Sequence, residues 1–165
     1  TGFMGSGKTS AGRKVAGQLG LRFIDMDLAI EALERRTIPQ IFEAEGEAYF
    51  RRLEKSVCRK LARQTGLVIA TGGGTLVDPE NLATMAATGL VICLTCAPDV
   101  LWQRLARSQD RPLLEAEDRR ARLESLLAER QAAYARIEHQ VDTTRQSLEE
   151  TVAEIVGIWR LETGD

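Results

Sequence analysis

Gly2-Phe3-Met4-Gly5-Ser6-Gly7-Lys8-Thr9 satisfies the pattern G-x-x-x-x-G-K-[ST] at every fixed position. The stretch reads as a phosphate-binding loop. Glycines at 2, 5 and 7 permit backbone conformations that a side chain would block, so successive N–H groups turn inward around a polyphosphate. A helix is expected to begin within the loop, its open N-terminal N–H groups and positive dipole end adding to the anion site. In that arrangement Lys8 reaches the β and γ phosphates and the Thr9 hydroxyl ligates Mg²⁺, with Gly5, Ser6, Gly7 and Ser10 completing a cradle for a nucleoside triphosphate. A Gly-rich turn ahead of a helix is the simpler reading, but the four fixed positions and the helical context favour the nucleotide site.

Working outward, such a loop calls for a buried strand before it, whereas the chain starts at Thr1 with no apolar run. The first strand of the sheet is therefore expected to be missing from this sequence. Downstream, Ala11, Val15, Ala16 and Leu19 recur at helical spacing from Lys8 to Leu19, and Gly20 is a natural stop. Leu21 to Asp27 reads as a short strand ending in two carboxylates, Asp25 and Asp27, which share a face if that segment is extended. Asp25 is the only acidic residue directly after a hydrophobic strand, the place from which a carboxylate supports a metal held by Thr9. The same pair would also serve to cap a helix starting near Leu28.

Helices are expected over 28–36, 38–44 and 46–64, broken at Thr37-Ile38-Pro39 and at Gly46. In the last of these, Phe50, Arg51 and Glu54 lie within one turn, and on spacing alone Arg51 and Glu54 read as a weak surface ion pair. Leu67 to Ala70 is a compact strand running into Gly72-Gly73-Gly74, whose entropic cost is usually returned as close approach of backbone to a ligand. Asp78-Pro79 opens a further helix, Leu90 to Thr95 is a strand, and Pro98-Asp99 opens the helix carrying Arg104 and Arg107. The charged stretch of about 108–122, with Arg111, reads as a mobile lid that brings positive charge to a transferring phosphoryl group. Leu123 to Ile137 is helical, Val141 to Thr144 a last strand, and Ser147 caps a final helix through Trp159.

Composition bounds these readings. The chain has 165 residues, 44% hydrophobic, enough for one sizeable core, and its net charge of −2 offers no general basic surface for nucleic acid. Runs such as Leu90 to Cys96 are too short to span a bilayer, and no charged-then-apolar leader precedes the loop. The expectation is a cytoplasmic, monomeric enzyme with no membrane or nucleic-acid partner. Cys58, Cys93 and Cys96 are an odd set without a disulfide framework, and Cys93-x-x-Cys96 in a strand reads as apolar packing. Strands alternating with helices predict an α/β, three-layer sandwich with a parallel sheet covered on both faces.

Taken together, Gly5-Ser6-Gly7-Lys8-Thr9, Asp25-x-Asp27, Gly46-Glu47 with Phe50-Arg51 and Glu54, Gly72-Gly73-Gly74, Arg111-Pro112-Leu113-Leu114 and Glu129-Arg130 with Tyr134 resemble the shikimate kinases over essentially the whole chain. That family is similar in architecture to the nucleoside monophosphate kinases. The resemblance implies a five-stranded parallel sheet in a single domain over residues 1–165, with substrate-binding helices over about 28–64. It also implies ATP-dependent phosphorylation of the shikimate 3-hydroxyl, giving shikimate 3-phosphate and ADP on the way to chorismate and the aromatic amino acids. By position it assigns Lys8 and Thr9 to phosphates and Mg²⁺, and Asp25 to the metal. Asp27 goes to the ring hydroxyls, Arg51, Gly73 and Arg130 to the substrate, and Phe42, Phe50, Glu54, Gly72 and Gly74 to its pocket. Arg111 is assigned to the phosphates, and Arg104 and Gln146 to the neighbourhood of adenine. A related small-molecule kinase, such as a gluconate kinase, would lack the arginine pair. A P-loop GTP switch would carry N-K-x-D, whereas the sole asparagine, Asn81, is followed by Leu82.

Overall fold

The computed structural model describes residues 1–106 and 118–164. The phosphate loop ends at Gly7, which is left-handed (φ 96) and N-caps α1 (Lys8–Leu19); Gly20, also left-handed (φ 66), ends the helix where expected, its N–H returning to the Ala16 carbonyl.

β1 (Arg22–Asp25) is shorter than the segment 21–27 suggests. The Asp25 carboxylate accepts the N–H groups of Asp27 and Leu28, so α2 (Met26–Glu34) begins at once. A carboxylate that satisfies two open helix donors outweighs continued strand. Asp25 and Asp27 therefore do not share one strand face: Asp25 is the cap and Asp27 sits in the first helical turn. A Thr37–Gln40 capping box starts α3 (Ile38–Leu61), which is interrupted at Gly46 (φ 78, ψ 172), the break expected from sequence.

β2 (Leu67–Ala70) leads through the triple glycine into a single tight turn, Thr75–Val77, and α4 (Pro79–Ala86) follows with Asp78 as its cap. Next come β3 (Ile92–Thr95), α5 (Pro98–Leu105), α6 (Arg119–Tyr134), β4 (His139–Asp142) and α7 (Leu148–Thr163), the last opened by a Ser147–Glu150 capping box. α6 starts earlier than expected because the Asp118 side chain accepts from Arg120 and Ala121 N–H. The end of the expected lid segment is thus regular helix; the rest of it, Arg111 included, and Arg107 lie outside the described residues.

β1 pairs in parallel with β2 from Arg22↔Leu67 to Asp25↔Ala70, and β3 with β4 from Ile92↔His139 to Thr95↔Asp142. Between the pairs lie Thr1 and Gly2: Leu94 N–H donates to the Thr1 carbonyl (2.8 Å), Gly2 bridges Leu94 in parallel, and the Thr71 hydroxyl reaches that of Thr1 (2.9 Å). In place of the expected five-stranded sheet, the described residues form two two-stranded parallel sheets. Gly2 makes an isolated bridge to Leu94, and Thr71 meets Thr1 only through their hydroxyls, so no ladder joins the two pairs among the described residues.

Alternation along the strands produces the layers. Leu94 and Val141 pack with Ala11, Val15, Val152 and Val156 of α1 and α7, whereas Cys93 faces Leu101, Leu105 and Leu123 of α5 and α6. The third cluster joins α2 and α3 through Met26, Ile30, Ile41, Val57 and Cys58, with Leu67 and Ile69 against it. No helix among the described residues is long and apolar enough to cross a membrane.

Candidate active site

At the phosphate end, the left-handed Gly7 leaves the first turn of α1 with no side-chain cap, so its N–H groups remain available to an anion. Ser10 is exposed in that turn and Ser6 is buried in the loop. The Lys8 ammonium folds across the loop onto the Phe3 carbonyl (2.9 Å). The Thr9 hydroxyl donates to Asp25 Oδ2 (2.8 Å), while Asp25 Oδ1 serves the helix cap. One hydroxyl and one carboxylate, both hard oxygen donors at the mouth of a phosphate loop, suit Mg²⁺ that also takes phosphate and water ligands.

Arg104 holds the loop from behind. Its Nη1 donates to the Gly5 carbonyl and the Thr143 hydroxyl (both 3.2 Å) and its Nη2 to the Thr143 carbonyl (2.8 Å). Gln146 turns to α7, bonded to Glu154 and Thr151. Neither lines the cavity that holds Asp25, Asp27, Arg51 and Arg130; Arg104 sits against the phosphate loop and the turn after β4.

That cavity, about 600 Å³, runs from Thr9 and Asp25 to Arg51 and Arg130. Arg51 Nη1 donates to Glu54, and its Nε and Nη2 donate to Glu47 Oε1 (3.2 and 2.8 Å). The surface-pair reading fails here, because Glu54 is only 2% exposed. Burial works against the Arg51 charge, and the two carboxylates outweigh it, leaving the guanidinium above its ordinary value. Arg130 comes from α6, is 6% exposed, and lies 5.8 Å over the Phe3 ring; its Nη1 has no hydrogen-bond partner among the described residues. Phe42 and Phe50 form the aromatic wall, with ring centroids 4.9 Å apart.

The triple glycine makes room for these groups. A Cβ on Gly72 would stand 2.6 Å from Asp27 Oδ1, one on Gly74 2.8 Å from Arg51 Nη1, and one on Gly73 3.5 Å from Arg130 Nη1. Three candidate site side chains thus converge on one short loop. Sequence reasoning missed two parts of this arrangement. Leu28 and Glu31 line the cavity beside Asp27, a contribution legible from helical spacing once α2 starts at Met26. The Tyr134 hydroxyl donates to the Gly73 carbonyl (2.6 Å); the sequence marks Tyr134 through the family resemblance, one turn after Arg130, but carries no signal of this bond.

A sequence model described as shikimate kinase matches residues 4–159. The chain belongs to the shikimate kinase family. Among its relatives, the shikimate kinase of Pelotomaculum thermopropionicum is 43% identical over 155 residues, covering 94% of this chain and 90% of that one. Among solved structures, shikimate kinase from Acinetobacter baumannii in complex with shikimate superposes with a TM-score of 0.92 at 34% identity, covering 98% and 90% of the two chains. The shikimate kinase of Aquifex aeolicus gives 0.85 at 34% identity, covering 99% and 96%. The α/β P-loop fold is thus shared with this family, and the matched span contains every candidate site residue from Gly5 to Gln146, Arg111 among them.

Proposed function

We propose that this member of the shikimate kinase family transfers the γ-phosphoryl group of ATP to the 3-hydroxyl of shikimate, releasing shikimate 3-phosphate and ADP and feeding chorismate and aromatic amino acid synthesis. The observation that carries the reading is the buried Arg130 Nη1, unpartnered among the described residues, in the same cavity as Arg51 and the Thr9–Asp25 pair. A buried donor without an acceptor costs about 1–3 kcal/mol. A substrate carboxylate removes that cost and takes charge-assisted bonds from both guanidinium groups.

Phe42 and Phe50 offer an apolar wall to the ring, and Gly72, Gly73 and Gly74 let the substrate lie against backbone. Asp27, beside Gly72, is positioned to orient the reacting hydroxyl or accept its proton as the oxygen attacks phosphorus in line with the leaving ADP oxygen. Lys8 leaves the Phe3 carbonyl for the phosphate oxygens, and the loop N–H groups hold the β phosphate. Mg²⁺, which Thr9 and Asp25 would hold, supplies neutralisation of phosphate charge. Arg111 is assigned to the transferring group by family resemblance. Arg104, with Gln146 further out, supports the nucleotide side. We take the active unit to be one kinase domain over residues 1–165, with substrate helices over about 28–64, working as a monomer in the cytoplasm.

A coupled ADP-release assay with ATP, Mg²⁺ and a panel of hydroxy acids, sugar acids and nucleosides tests the reading. Release is expected with shikimate and only background with gluconate or nucleosides. Turnover of gluconate in preference to shikimate would overturn it.

A further inference from the structure

Arg51 is a long side chain on a partly exposed helix face, and such a guanidinium loses considerable rotamer freedom when it is held for a ligand. Of the two carboxylates that hold it, Glu47 is exposed and Glu54 is buried. Glu54, beneath it, takes Arg51 Nη1 on one carboxylate oxygen, and on the other accepts a 2.6 Å hydrogen bond from the Thr75 hydroxyl. Thr75 is 1% exposed. Its own place is set by its N–H on the Gly72 carbonyl (3.2 Å) and by Asn81 of α4, whose Nδ2 donates to the Thr75 carbonyl (2.9 Å). A continuous polar path therefore runs from α4 through the turn after the triple glycine to α3.

We infer that Thr75 is a positioning residue for substrate binding, acting through Glu54 to fix the Arg51 guanidinium. The inference rests on the shikimate reading above. An ionised carboxylate at this depth needs its lone pairs satisfied, and a hydroxyl-to-carboxylate bond is among the stronger ones available. The Thr75 bond also selects one rotamer of Glu54, hence the direction in which Arg51 is held. Gly72 keeps the path open: a Cβ there would lie 2.9 Å from Thr75 Oγ1 and 3.1 Å from Glu54 Oε1.

The test is steady-state kinetics with shikimate and ATP varied separately, for Thr75→Val and Thr75→Ser, each in the native and the Arg51→Ala background. Valine keeps the shape and removes the donor; serine keeps the donor. Thr75→Val is expected to raise the shikimate KM about tenfold, leave the ATP KM near its native value, and add little once Arg51 is alanine. Thr75→Ser should stay close to native. An equal effect of valine in both backgrounds, or serine behaving like valine, overturns the inference and reduces Thr75 to packing. If Thr75→Val does not fold, Thr75→Ala decides by the same comparison. A raised KM in Arg51→Ala with none in Thr75→Val sinks this inference alone, whereas an unchanged KM in Arg51→Ala removes the carboxylate reading and this inference with it.

Discussion

The Tyr134 hydroxyl donates a 2.6 Å hydrogen bond to the Gly73 carbonyl, joining α6 to the loop after β2 across 61 positions of sequence. Arg130 lies one turn earlier on the same helix, so this bond also sets the distance between the Arg130 guanidinium and the triple glycine.

A pH dependence follows from that burial. Desolvation pushes the Tyr134 phenol up to about 12, against the pull of the Arg130 guanidinium. The folded protein then keeps a proton that the unfolded chain releases near its ordinary value. Stability is intact below about pH 10 and falls as pH rises toward about 12, by up to about 2–3 kcal/mol. Tyr134→Phe should flatten that alkaline decline in urea unfolding; a decline of unchanged depth would argue against it.

The phosphate loop makes the second prediction. Lys8→Ala removes the cation aimed at the phosphates and Thr9→Val the hydroxyl at the metal position, so turnover should collapse in both while the circular dichroism spectrum is retained. Near-native turnover in either variant would count against the nucleotide site.

For the substrate arginines, Arg51→Ala and Arg130→Ala should each weaken shikimate binding by about 2–4 kcal/mol with ATP affinity almost unmoved. Arg51→Lys should stay impaired, because an ammonium cannot serve a carboxylate and Glu54 with the geometry of a fork. Arg51→Ala also leaves the buried Glu54 carboxylate without its cation, so that variant should also unfold at lower temperature. Titration with each ligand and a thermal melt separate the two effects.

Glycine substitutions should divide sharply. Gly72→Ala forces a Cβ to within 2.6 Å of Asp27 Oδ1, and the resulting shift should lower kcat and cost about 1–3 kcal/mol of stability. Gly157, on α7, has nothing within 4 Å of an added Cβ, and Gly157→Ala should stabilise by about 0.5–1 kcal/mol. Paired unfolding and activity measurements check both signs.

Much of this was legible because it is local. The phosphate loop shows in four fixed residue types, the ends of α1 and α4 in Gly20 and Asp78, and the break in α3 in Gly46. The start of α2 was misread because Asp25 suits a strand end and a helix cap equally, and only the tertiary position of Thr9 tells which oxygen is left over. Glu54 looked like a surface partner of Arg51, since helical spacing reports who is adjacent but not what covers them. Thr75 and Tyr134 act on residues 21 and 61 positions away, a relation that no periodicity encodes.

The interruption of α3 at Gly46 has a mechanical side. A Cβ there would meet nothing within 4 Å, so the left-handed backbone angle, not crowding, is what asks for glycine. On one side of it stand Ile38 and Phe42, on the other Phe50 and Arg51, and the two phenyl rings meet across the break. The break thus turns the chain so that Phe42 and Phe50, from the two halves of one helix, meet as a single wall, and Arg51 next to Phe50 is carried to the edge of that wall by the same turn.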